Sequence, residues 1–439
     1  MVKYLVEKQL TFDLSYHHDL DNNDNFSPDG KWLAYDTRTD IGGIPESARI
    51  EKVCIESGEV RIIYQIPDNA KWGPGAGAVS YSPVEDAVVF IHGLSSCTAD
   101  NPYQQWRRTG VIVRGAEPGK PVFMDARNID PPFTPGALRG GTHRHEWSGD
   151  GKWIGFTYND AILKALEDAS GTKRNLRTIG VSANIGPVDV PATPENVPGE
   201  WFSVVVVRVV PQPQPGSDEI NHAANDSWIG KKGYVRPDGS LQLARAFLGT
   251  VVDSNGNEVP EVFVVDIPDD ITKPGPLSPL EGTASDFPMP PAGTVQRRIT
   301  FTANSAFPGC SGIVRSSPDG SKLAFLAKDE NGITQIFTIS PLGGEASQLT
   351  NHDSDVKGNV RWHPGGGYIA YVWEERIMIC EIGNASFQQR IRVLTAPSEQ
   401  APANLVWSHD GQVLACNRLV EDASTGGKTQ QIFVLTNIF

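Results

Sequence analysis

The sequence predicts an all-β fold, a seven-bladed β-propeller, on three observations. A phrase of two apolar strands joined by a tight turn recurs about seven times along the 439 residues. The turn glycines Gly320, Gly367 and Gly411 are 47 and 44 residues apart, which is close to the ~40–45 residues of one propeller blade. The 44 Gly and 33 Pro residues are typical of a turn-rich β protein. Together these features favour a ring of blades over a sandwich or a disordered chain.

The recurring phrase is clearest at residues 25–35, which read NFSPDGKWLAY. An Asp-Gly or Gly-Gly pair suits a two-residue hairpin turn, because that turn needs φ > 0, which Gly tolerates and β-branched residues do not. Each copy is therefore expected to join the first two strands of a blade. The further copies lie at residues 79–90, 145–156, 234–243, 314–325, 360–371 and 406–415.

Further strand-like runs, such as residues 335–339 and 346–350, complete four strands per unit. The last unit is one strand short, and Gln9-Leu10-Thr11 near the start matches the fourth-strand phrase Gln348-Leu349-Thr350. The N-terminal strand is therefore predicted to complete the last blade and close the ring, which removes unpaired sheet edges. The chain 1–439 is interpreted as one propeller domain, with blades at approximately 24–66, 77–125, 142–210, 221–302, 311–350, 358–395 and 403–437 plus 7–12.

Blades three and four are expected to carry insertions, because the turn glycines in the middle of the chain are 88 and 81 residues apart. Residues 160–172 predict a short helix, since Ile162, Leu163 and Leu166 recur at helical spacing. A second insertion is the proline-rich stretch 268–291. The helix either overlies the functional face of the ring or only caps blade three.

Charge and cysteine usage limit the classes of partner. The formal net charge of -14 opposes nucleic acid, which requires a basic surface, although local Arg and His residues can still hold a small anion. The five cysteines show no CxxC spacing, so neither a zinc framework nor a disulfide set is expected. No apolar run approaches the ~20 residues of a membrane span, and residues 1–8 lack a signal-peptide core. A cytoplasmic protein without a membrane partner or a nucleotide cofactor is expected.

Residues just before the innermost strand of each blade should emerge at the mouth of the central channel, where propellers usually bind ligands. Six of the nine histidines lie in such positions. The channel candidates are His17, His18, Asp24, Arg139, His143, Arg144, His145, Asn221, His222, Cys310, His352, Asp353 and Asp355.

Two histidines stand out among these candidates. His143 and His145 are two apart on an extended segment, so they are expected to face one side about 7 Å apart. With His222 they form the predicted ligand set for a divalent metal; otherwise they are polar residues that line the channel. Zinc suits histidine ligands, and manganese or calcium would suit added carboxylates better. His143, Asn221 and His352 are the predicted substrate-binding residues.

The SPDGK-type hairpins resemble those of TolB-like and WD40-like propellers and of prolyl oligopeptidase propeller domains, over nearly the whole chain. No GxSxG motif or separate α/β domain accompanies them, so serine hydrolase chemistry is not expected. A narrower resemblance is to oligogalacturonate lyases. It is carried by Tyr81-Ser82-Pro83 through 90–93 to Trp106-Arg107-Arg108, by 143–147 (HRHEW), and by Asn221-His222 ahead of 236–239 (RPDG).

The lyase resemblance implies β-elimination on a small acidic sugar with a divalent metal, usually manganese. Such a reaction needs a base for the proton next to the carboxylate and a cation that stabilises the developing enediolate. His145 or His222 would be the base, and Arg139 or Arg144 would hold the carboxylate, unless these arginines form ordinary inter-blade salt bridges. The sequence departs from the family in its later blades, where only His352, Asp353 and Asp355 stand in place of a closely spaced His cluster.

Two function classes follow. The first is a carbohydrate-active propeller, a metal-assisted lyase acting on a small acidic sugar at the channel mouth, with His145, Arg144 and Arg139 as catalytic residues. The second is a non-catalytic TolB-like propeller that binds a protein or peptide partner. The first predicts a polar, His-lined site with perturbed titrating groups, and the second predicts a broad exposed apolar patch. Four tryptophans at hairpin positions are expected to pack between blades, namely Trp147, Trp153, Trp362 and Trp407.

Overall fold

The computed structural model describes residues 4–21 and 24–439, which form seven small four-stranded antiparallel sheets arranged as a seven-bladed β-propeller. The first strands of blades two and three, and those of blades four to seven, lie against one another around the central axis. The predicted fold class is confirmed. Within the described residues, no helix has the length and apolar character required to span a bilayer.

The first four blades occupy the N-terminal part of the chain. Strand β1 (Lys8–Gln9) precedes them. Blade one contains β2 (His17–Asp19), β3 (Trp32–Arg38), β4 (Arg49–Cys54) and β5 (Val60–Gln65). Blade two contains β6 (Ala76–Tyr81), β7 (Ala87–Gly93), β8 (Arg108–Arg114) and β9 (Val122–Phe123). Blade three contains β10 (Gly140–Trp147), β11 (Trp153–Asp160), helix α1 (Ala161–Ser170), β12 (Thr178–Ala183) and β13 (Phe202–Val205). Blade four contains β14 (Ile220–Trp228), the small hairpin β15 (Tyr234–Val235) and β16 (Leu241–Gln242), then β17 (Ala244–Val252), β18 (Glu258–Asp266) and β19 (Val295–Arg298).

The last three blades follow more regularly. Blade five contains β20 (Cys310–Ser316), β21 (Leu323–Lys328), β22 (Thr334–Ile339) and β23 (Ser347–Gln348). Blade six contains β24 (Lys357–Trp362), β25 (Tyr368–Trp373), β26 (Arg376–Glu381), the short helix α2 (Phe387–Arg390) and β27 (Ile391–Val393). Blade seven contains β28 (Ala403–Trp407), β29 (Leu414–Glu421) and β30 (Lys428–Leu435).

The N-terminal strand closes the ring, as predicted. β1 pairs antiparallel with β30, with Lys8 opposite Val434. The buried Leu10 continues the contact, and its backbone N–H donates to the carbonyl of Ile432 at 2.8 Å. Strand β1 is therefore the fourth strand of blade seven, and the first and last parts of the described chain share one sheet.

The recurring Ser-Pro-Asp-Gly phrase forms the turn between the first two strands of a blade. In blade one the Ser27 hydroxyl donates to Asp29 Oδ1 at 2.6 Å and accepts from the backbone N–H of Trp32 at 3.0 Å, while Gly30 has φ 70°. The same serine–aspartate bond recurs in blades three, five and seven. Because only local contacts hold this turn, a short sequence phrase is enough to predict it.

Two details of the repeat differ from the prediction. In blade six the turn glycine with positive φ is Gly366 rather than Gly367. The copy at 234–243 is not the first hairpin of blade four, because it forms the separate pair β15–β16 between β14 and β17. The long spacing around blade four therefore comes partly from this inserted hairpin.

The innermost strands of blades two to seven each contain a β-bulge near their midpoint. At each bulge, two or three residues oppose a single residue of the next strand. A bulge of this kind bends the strand and changes the direction of the side chains that follow it. The first residue of each bulge has φ between 52° and 75°; these residues are Ala78, Arg144, Asn225, Gly312, Gly358 and Asn404.

The predicted helix is present as α1 in blade three. Asp160 is its N-cap and accepts from the backbone N–H of Leu163 at 2.8 Å, and the helix ends at Gly171 with φ 68°. The proline-rich insertion contacts the same blade, where Phe287 packs edge-on against Tyr158 with ring centroids 6.1 Å apart.

The hairpin tryptophans pack between blades, as expected. Trp147, Trp228, Trp362 and Trp407 are all less than 10% exposed. Trp228 Nε1 donates to the Glu146 carbonyl of the preceding blade at 2.9 Å. Trp153 is partly buried against the same large core cluster.

Candidate functional site

The central channel has two ends with different chemistry. The inner strands begin at the end called here the upper end, and they turn into the hairpins at the lower end. A cavity of about 330 Å³ opens at the lower end, with walls of aromatic and proline side chains from all seven blades. The lining residues include Phe26, Tyr81, Pro83, Trp147, Trp228, Pro318, Trp362, Pro364, Trp407 and His409.

The charges on the lower cavity are paired with one another. Glu146 Oε1 lies 3.1 Å from Arg315 Nη1, and its Oε2 lies 3.1 Å from Arg245 Nη2. Arg361 Nη1 lies 3.1 Å from Asp24 Oδ1. Asp226 Oδ2 also lies 2.9 Å from Arg245 Nε. Three carboxylates therefore pair with three arginines, and these groups carry no local excess of one charge.

Arg139, predicted to hold a carboxylate, is instead a buried structural residue. Its Nη2 lies 2.8 Å from Asp160 Oδ2, and Tyr158 donates to the same carboxylate at 2.9 Å. Nη1 and Nη2 of Arg139 also donate to the carbonyls of Thr283 and Asp286 in the proline-rich insertion. The guanidinium group anchors that insertion and the start of α1, and the catalytic role of Arg139 stays a prediction.

His145, predicted to be the base, is completely buried and faces the protein interior. Its Nε2 lies 2.9 Å from Thr142 Oγ1, and the Thr142 hydroxyl donates to Asp125 Oδ2 at 3.1 Å. Burial lowers the pKa of His145 to about 3 and raises the pKa of Asp125 to about 7. A buried and weakly basic imidazole is poorly suited to act as a general base, and the base role of His145 stays a prediction.

The bulge at Arg144 separates the two neighbouring histidines. The register shifts between His143 and Glu146, which interrupts the alternation that would place His143 and His145 on one side. His143 is partly exposed, and its Nδ1 accepts from Arg177 Nη2 at 2.9 Å. Burial, followed by the charges of Arg108 and Arg177, holds the pKa of His143 well below its ordinary value. The ring is therefore neutral, with its proton on Nε2.

Three arginines surround His143 at the upper end; with it they are called the arginine cluster (Arg108, His143, Arg144 and Arg177). Arg108 Nη1 donates to the Tyr103 hydroxyl at 2.8 Å. Arg177 Nη2 donates to Thr157 Oγ1 at 2.7 Å. Burial and the charge of Arg108 lower the pKa of Arg177 to about 10. The guanidinium groups are thus fixed mainly by neutral partners.

The arginine cluster carries unused hydrogen-bond donors. Arg108 Nε, Arg144 Nη2 and Arg177 Nε are buried and have no hydrogen-bond partner among the residues that the structure describes. Among the residues that the structure describes, Asp226 is the one carboxylate in ion-pair contact with the cluster. Its Oδ1 lies 3.9 Å from Arg144 Nη1. Asp226 is held more closely by Arg245, whose Nε lies 2.9 Å from its Oδ2. The cluster itself therefore keeps an excess of positive charge over its ion-pair partner, in a chain whose net charge is -14.

The other predicted binding residues lie outside this cluster or at its margin. His222 is exposed, and partial desolvation together with the charges of Arg177 and Lys173 lowers its pKa. Asn221 Nδ2 donates to Glu258 at 2.6 Å on the surface. These contacts do not test the substrate-binding role of Asn221 or the base role of His222, so both stay predictions.

His352, a predicted substrate-binding residue, lies in an aromatic box. Its ring stacks on Trp373 at 4.2 Å and meets the edge of Phe387 at 4.8 Å. Its Nε2 lies 2.9 Å from the Tyr371 hydroxyl, and burial lowers the pKa of His352 to about 4. These contacts give His352 a packing role, and its substrate-binding role stays a prediction.

The residues present do not fit a divalent metal. Across residues 4–21 and 24–439, no group of three or more His, Cys, Asp or Glu side chains is placed to hold a metal ion. Of the predicted ligands, His143 uses Nδ1 for Arg177, His145 is sealed, and His222 is exposed. A histidine binds a metal through an unprotonated ring nitrogen, and among the described residues His143, His145 and His222 are not part of any group placed to hold a metal ion.

Sequence comparison connects the arginine cluster with a family. A family model described as "Protein of unknown function (DUF3748)" matches residues 75–196. YidR of Escherichia coli (strain K12), described as uncharacterized, is 39% identical over 420 residues, which cover 93% of this chain and 94% of YidR. The chain belongs to the YidR family. The segment 75–196 contains all four members of the arginine cluster, so in this YidR-family chain the cluster lies within the family match.

Solved structures similar to this YidR-family chain share its fold. An oligogalacturonate lyase in complex with manganese is 12% identical, with a TM-score of 0.57 over 99% of this chain and 98% of that one. An oligogalacturonate lyase from Vibrio parahaemolyticus is 11% identical, with a TM-score of 0.52 and the same coverage. A putative TolB from Agrobacterium tumefaciens is 14% identical over 89% of this chain and 99% of that one, with a TM-score of 0.38. The two oligogalacturonate lyase structures thus confirm the recognised resemblance to that group at the level of the fold.

Sequence reasoning did not identify Arg108 and Arg177 as site residues. Arg108 begins β8 and Arg177 directly precedes β12, so both lie at the start of the third strand of neighbouring blades. That equivalence was hidden in the sequence by the insertion that contains α1. Aligning the third strands of blades two and three would have placed the two arginines side by side in the YidR-family chain.

Proposed function

We propose that the protein binds a small acidic carbohydrate at the upper end of the channel, with its carboxylate held by the arginine cluster. The observation that carries this proposal is the set of three guanidinium groups with buried N–H donors that lack partners in the described chain. A carboxylate accepts paired hydrogen bonds from guanidinium, and such bonds to charged groups are strong. The cluster therefore suits one carboxylate better than it suits a neutral ligand.

The surroundings of the cluster support a sugar as the rest of the ligand. The Tyr103 hydroxyl and His143 Nε2–H offer hydrogen-bonding groups that match sugar hydroxyls. The two fold neighbours named as oligogalacturonate lyases support the same ligand class. The proposal keeps a cytoplasmic location, which cell fractionation tests.

The proposed reaction is β-elimination at the bound uronate. A base removes the proton from the carbon next to the carboxylate, and the electrons of that C–H bond form the new double bond. The C–O bond at the β-position breaks, and the leaving alkoxide takes a proton from water. The guanidinium groups stabilise the negative charge that spreads onto the carboxylate. His222 is the proposed base, because both ring nitrogens of His143 are occupied and His145 is sealed.

Calorimetry with galacturonate, digalacturonate and neutral galactose tests the binding step. Only the acidic sugars should bind, and Arg177→Gln should weaken them about 10- to 150-fold, since a hydrogen bond to a charged group contributes about 1.5–3 kcal/mol. Arg114→Gln is the matched control, because Arg114 forms an exposed pair with Glu200 at 2.9 Å. Equal binding of galactose, or an unchanged affinity in Arg177→Gln, would overturn the proposal.

The chemical step is tested separately with digalacturonate, by the ultraviolet absorbance of the unsaturated product. His222→Gln should remove turnover while the dissociation constant stays within about twofold of wild type, because a base acts on the rate and not on ground-state binding. Full turnover in His222→Gln would remove His222 from the mechanism.

A second candidate function is the binding of a protein or peptide partner without catalysis. It is favoured by the lower cavity, whose aromatic and proline walls surround charges that are already paired. Co-purification with tagged wild type, Pro364→Asp and Arg177→Gln distinguishes the two functions. A partner lost only in Pro364→Asp would favour this alternative over sugar binding.

A further inference from the structure

We infer that guanidinium groups alone neutralise the acidic group of the ligand at the arginine cluster, without a divalent cation. The inference rests on the proposed function, and it separates this chain from the manganese complex whose fold it shares. The charges, the donor atoms and the packing of the cluster support it.

The charge at the site disfavours a cation. Arg108, Arg144 and Arg177 act together on His143, and Arg108 also acts on Arg177. Asp226, the carboxylate in ion-pair contact with Arg144, already bonds to Arg245 at 2.9 Å. A divalent ion placed here would meet like charges at short range in a partly buried environment, where screening by water is weak.

The donor atoms at the site also fail to match a metal. His143 Nδ1 accepts from Arg177 and its Nε2 carries the proton, so neither nitrogen offers a lone pair. Asp226 Oδ1 has no hydrogen-bond partner within the described residues, but it is a single buried oxygen that faces Arg144. Manganese and calcium require several oxygen ligands, which this cluster lacks.

The guanidinium groups are positioned for the task that a metal would otherwise perform. Arg108 and Arg177 begin or precede equivalent third strands, and so they flank the inner strand of blade three, which carries His143 and Arg144. Gly141 allows Arg108 to approach this strand, since a Cβ built on Gly141 would lie 3.0 Å from Arg108 Cγ. Arg177 is held by Thr157 at 2.7 Å. The clamp is therefore built before a ligand arrives, which reduces the entropy cost of binding.

Metal analysis and calorimetry test the inference on full-length protein purified without a His tag. We expect much less than one equivalent of any transition metal by mass spectrometry, and no saturable binding when MnCl₂ alone is titrated. The dissociation constant of digalacturonate should be the same, within about twofold, in EDTA and in excess MnCl₂. Stoichiometric manganese, or sugar binding that EDTA abolishes and MnCl₂ restores, would overturn the inference.

Arginine variants supply the second arm of the test. Arg108→Lys and Arg177→Lys keep the charge but lose the paired donors, so each should weaken digalacturonate about tenfold or more. Arg114→Gln should leave the affinity unchanged, and thermal unfolding checks that all variants fold. Unchanged affinity in both lysine variants would overturn the guanidinium clamp. If no acidic sugar binds in EDTA or in manganese, the proposed function fails, while the manganese titration still decides the question of the metal.

Discussion

Replacing His352 by Phe should make the protein less sensitive to acid. The pKa of His352 lies at about 4, below its ordinary 6.5, because the aromatic box excludes water from the ring. Between pH 6.5 and pH 4, His352 is protonated in the unfolded chain but neutral in the folded chain. The free energy of unfolding therefore falls as the pH falls below 6.5. At about 1.4 kcal/mol per pH unit, the loss reaches roughly 3.5 kcal/mol below pH 4 and is about 2 kcal/mol between pH 7 and pH 5.

Urea unfolding at pH 7 and pH 5 measures this difference. Wild type should lose about 2 kcal/mol more than His352→Phe over that interval, since phenylalanine keeps the stacking on Trp373 but has no proton to bind. Tyr371→Phe is the control, because it removes the same hydrogen bond and leaves the imidazole in place. An equal loss of unfolding free energy in wild type and His352→Phe would refute the argument. It would favour the substrate-binding role predicted for His352.

Three further variants test the fold around the site. Arg139→Gln should lower the free energy of unfolding by about 3–5 kcal/mol, because it leaves Asp160 buried without its partner; a loss below about 1 kcal/mol would contradict the buried pair. Leu10→Asp should reduce the free energy of unfolding by about 3 kcal/mol or more by placing a charge in the seam that closes the ring; an unchanged melting temperature would argue against closure by β1. Gly110→Ala should cost about 1–3 kcal/mol, since its Cβ would lie 2.7 Å from His145 Nε2; wild-type stability in a urea titration would refute that contact.

The propeller was predictable because its turns are local. A serine, an aspartate and a glycine within four residues define the hairpins of blades one, three, five and seven through contacts such as Ser27 to Asp29. The same locality explains the error in blade four, where the RPDG phrase forms a genuine hairpin that lies outside the blade sheet. Such a sequence phrase predicts that a turn forms, but it does not predict which strands the turn joins.

The candidate site was less predictable because a bulge and distant contacts build it. The alternation expected for His143 and His145 fails at Arg144, whose positive φ of 55° has no signal in its residue type. The inner strand of blade three was placed at the channel from the sequence, but Arg108 and Arg177 reach it from other strands. Contacts of that kind depend on how the blades pack, so a linear pattern does not reveal them.

The bulge that recurs in blades two to seven divides each of their inner strands into two parts. One part fixes the path of the backbone, and the other carries side chains that can be exchanged. The left-handed residue sets the path of the backbone, while the second or third position after it supplies one of four side-chain types in the six blades: Ser80, Glu146, Ser227, Arg315, Arg361 and Val406. Strand pairing uses backbone groups, so these side chains can be replaced without altering the pairing. Ligand preference in this architecture can therefore diverge one blade at a time while the ring persists, and an engineered channel could be assembled in the same stepwise way.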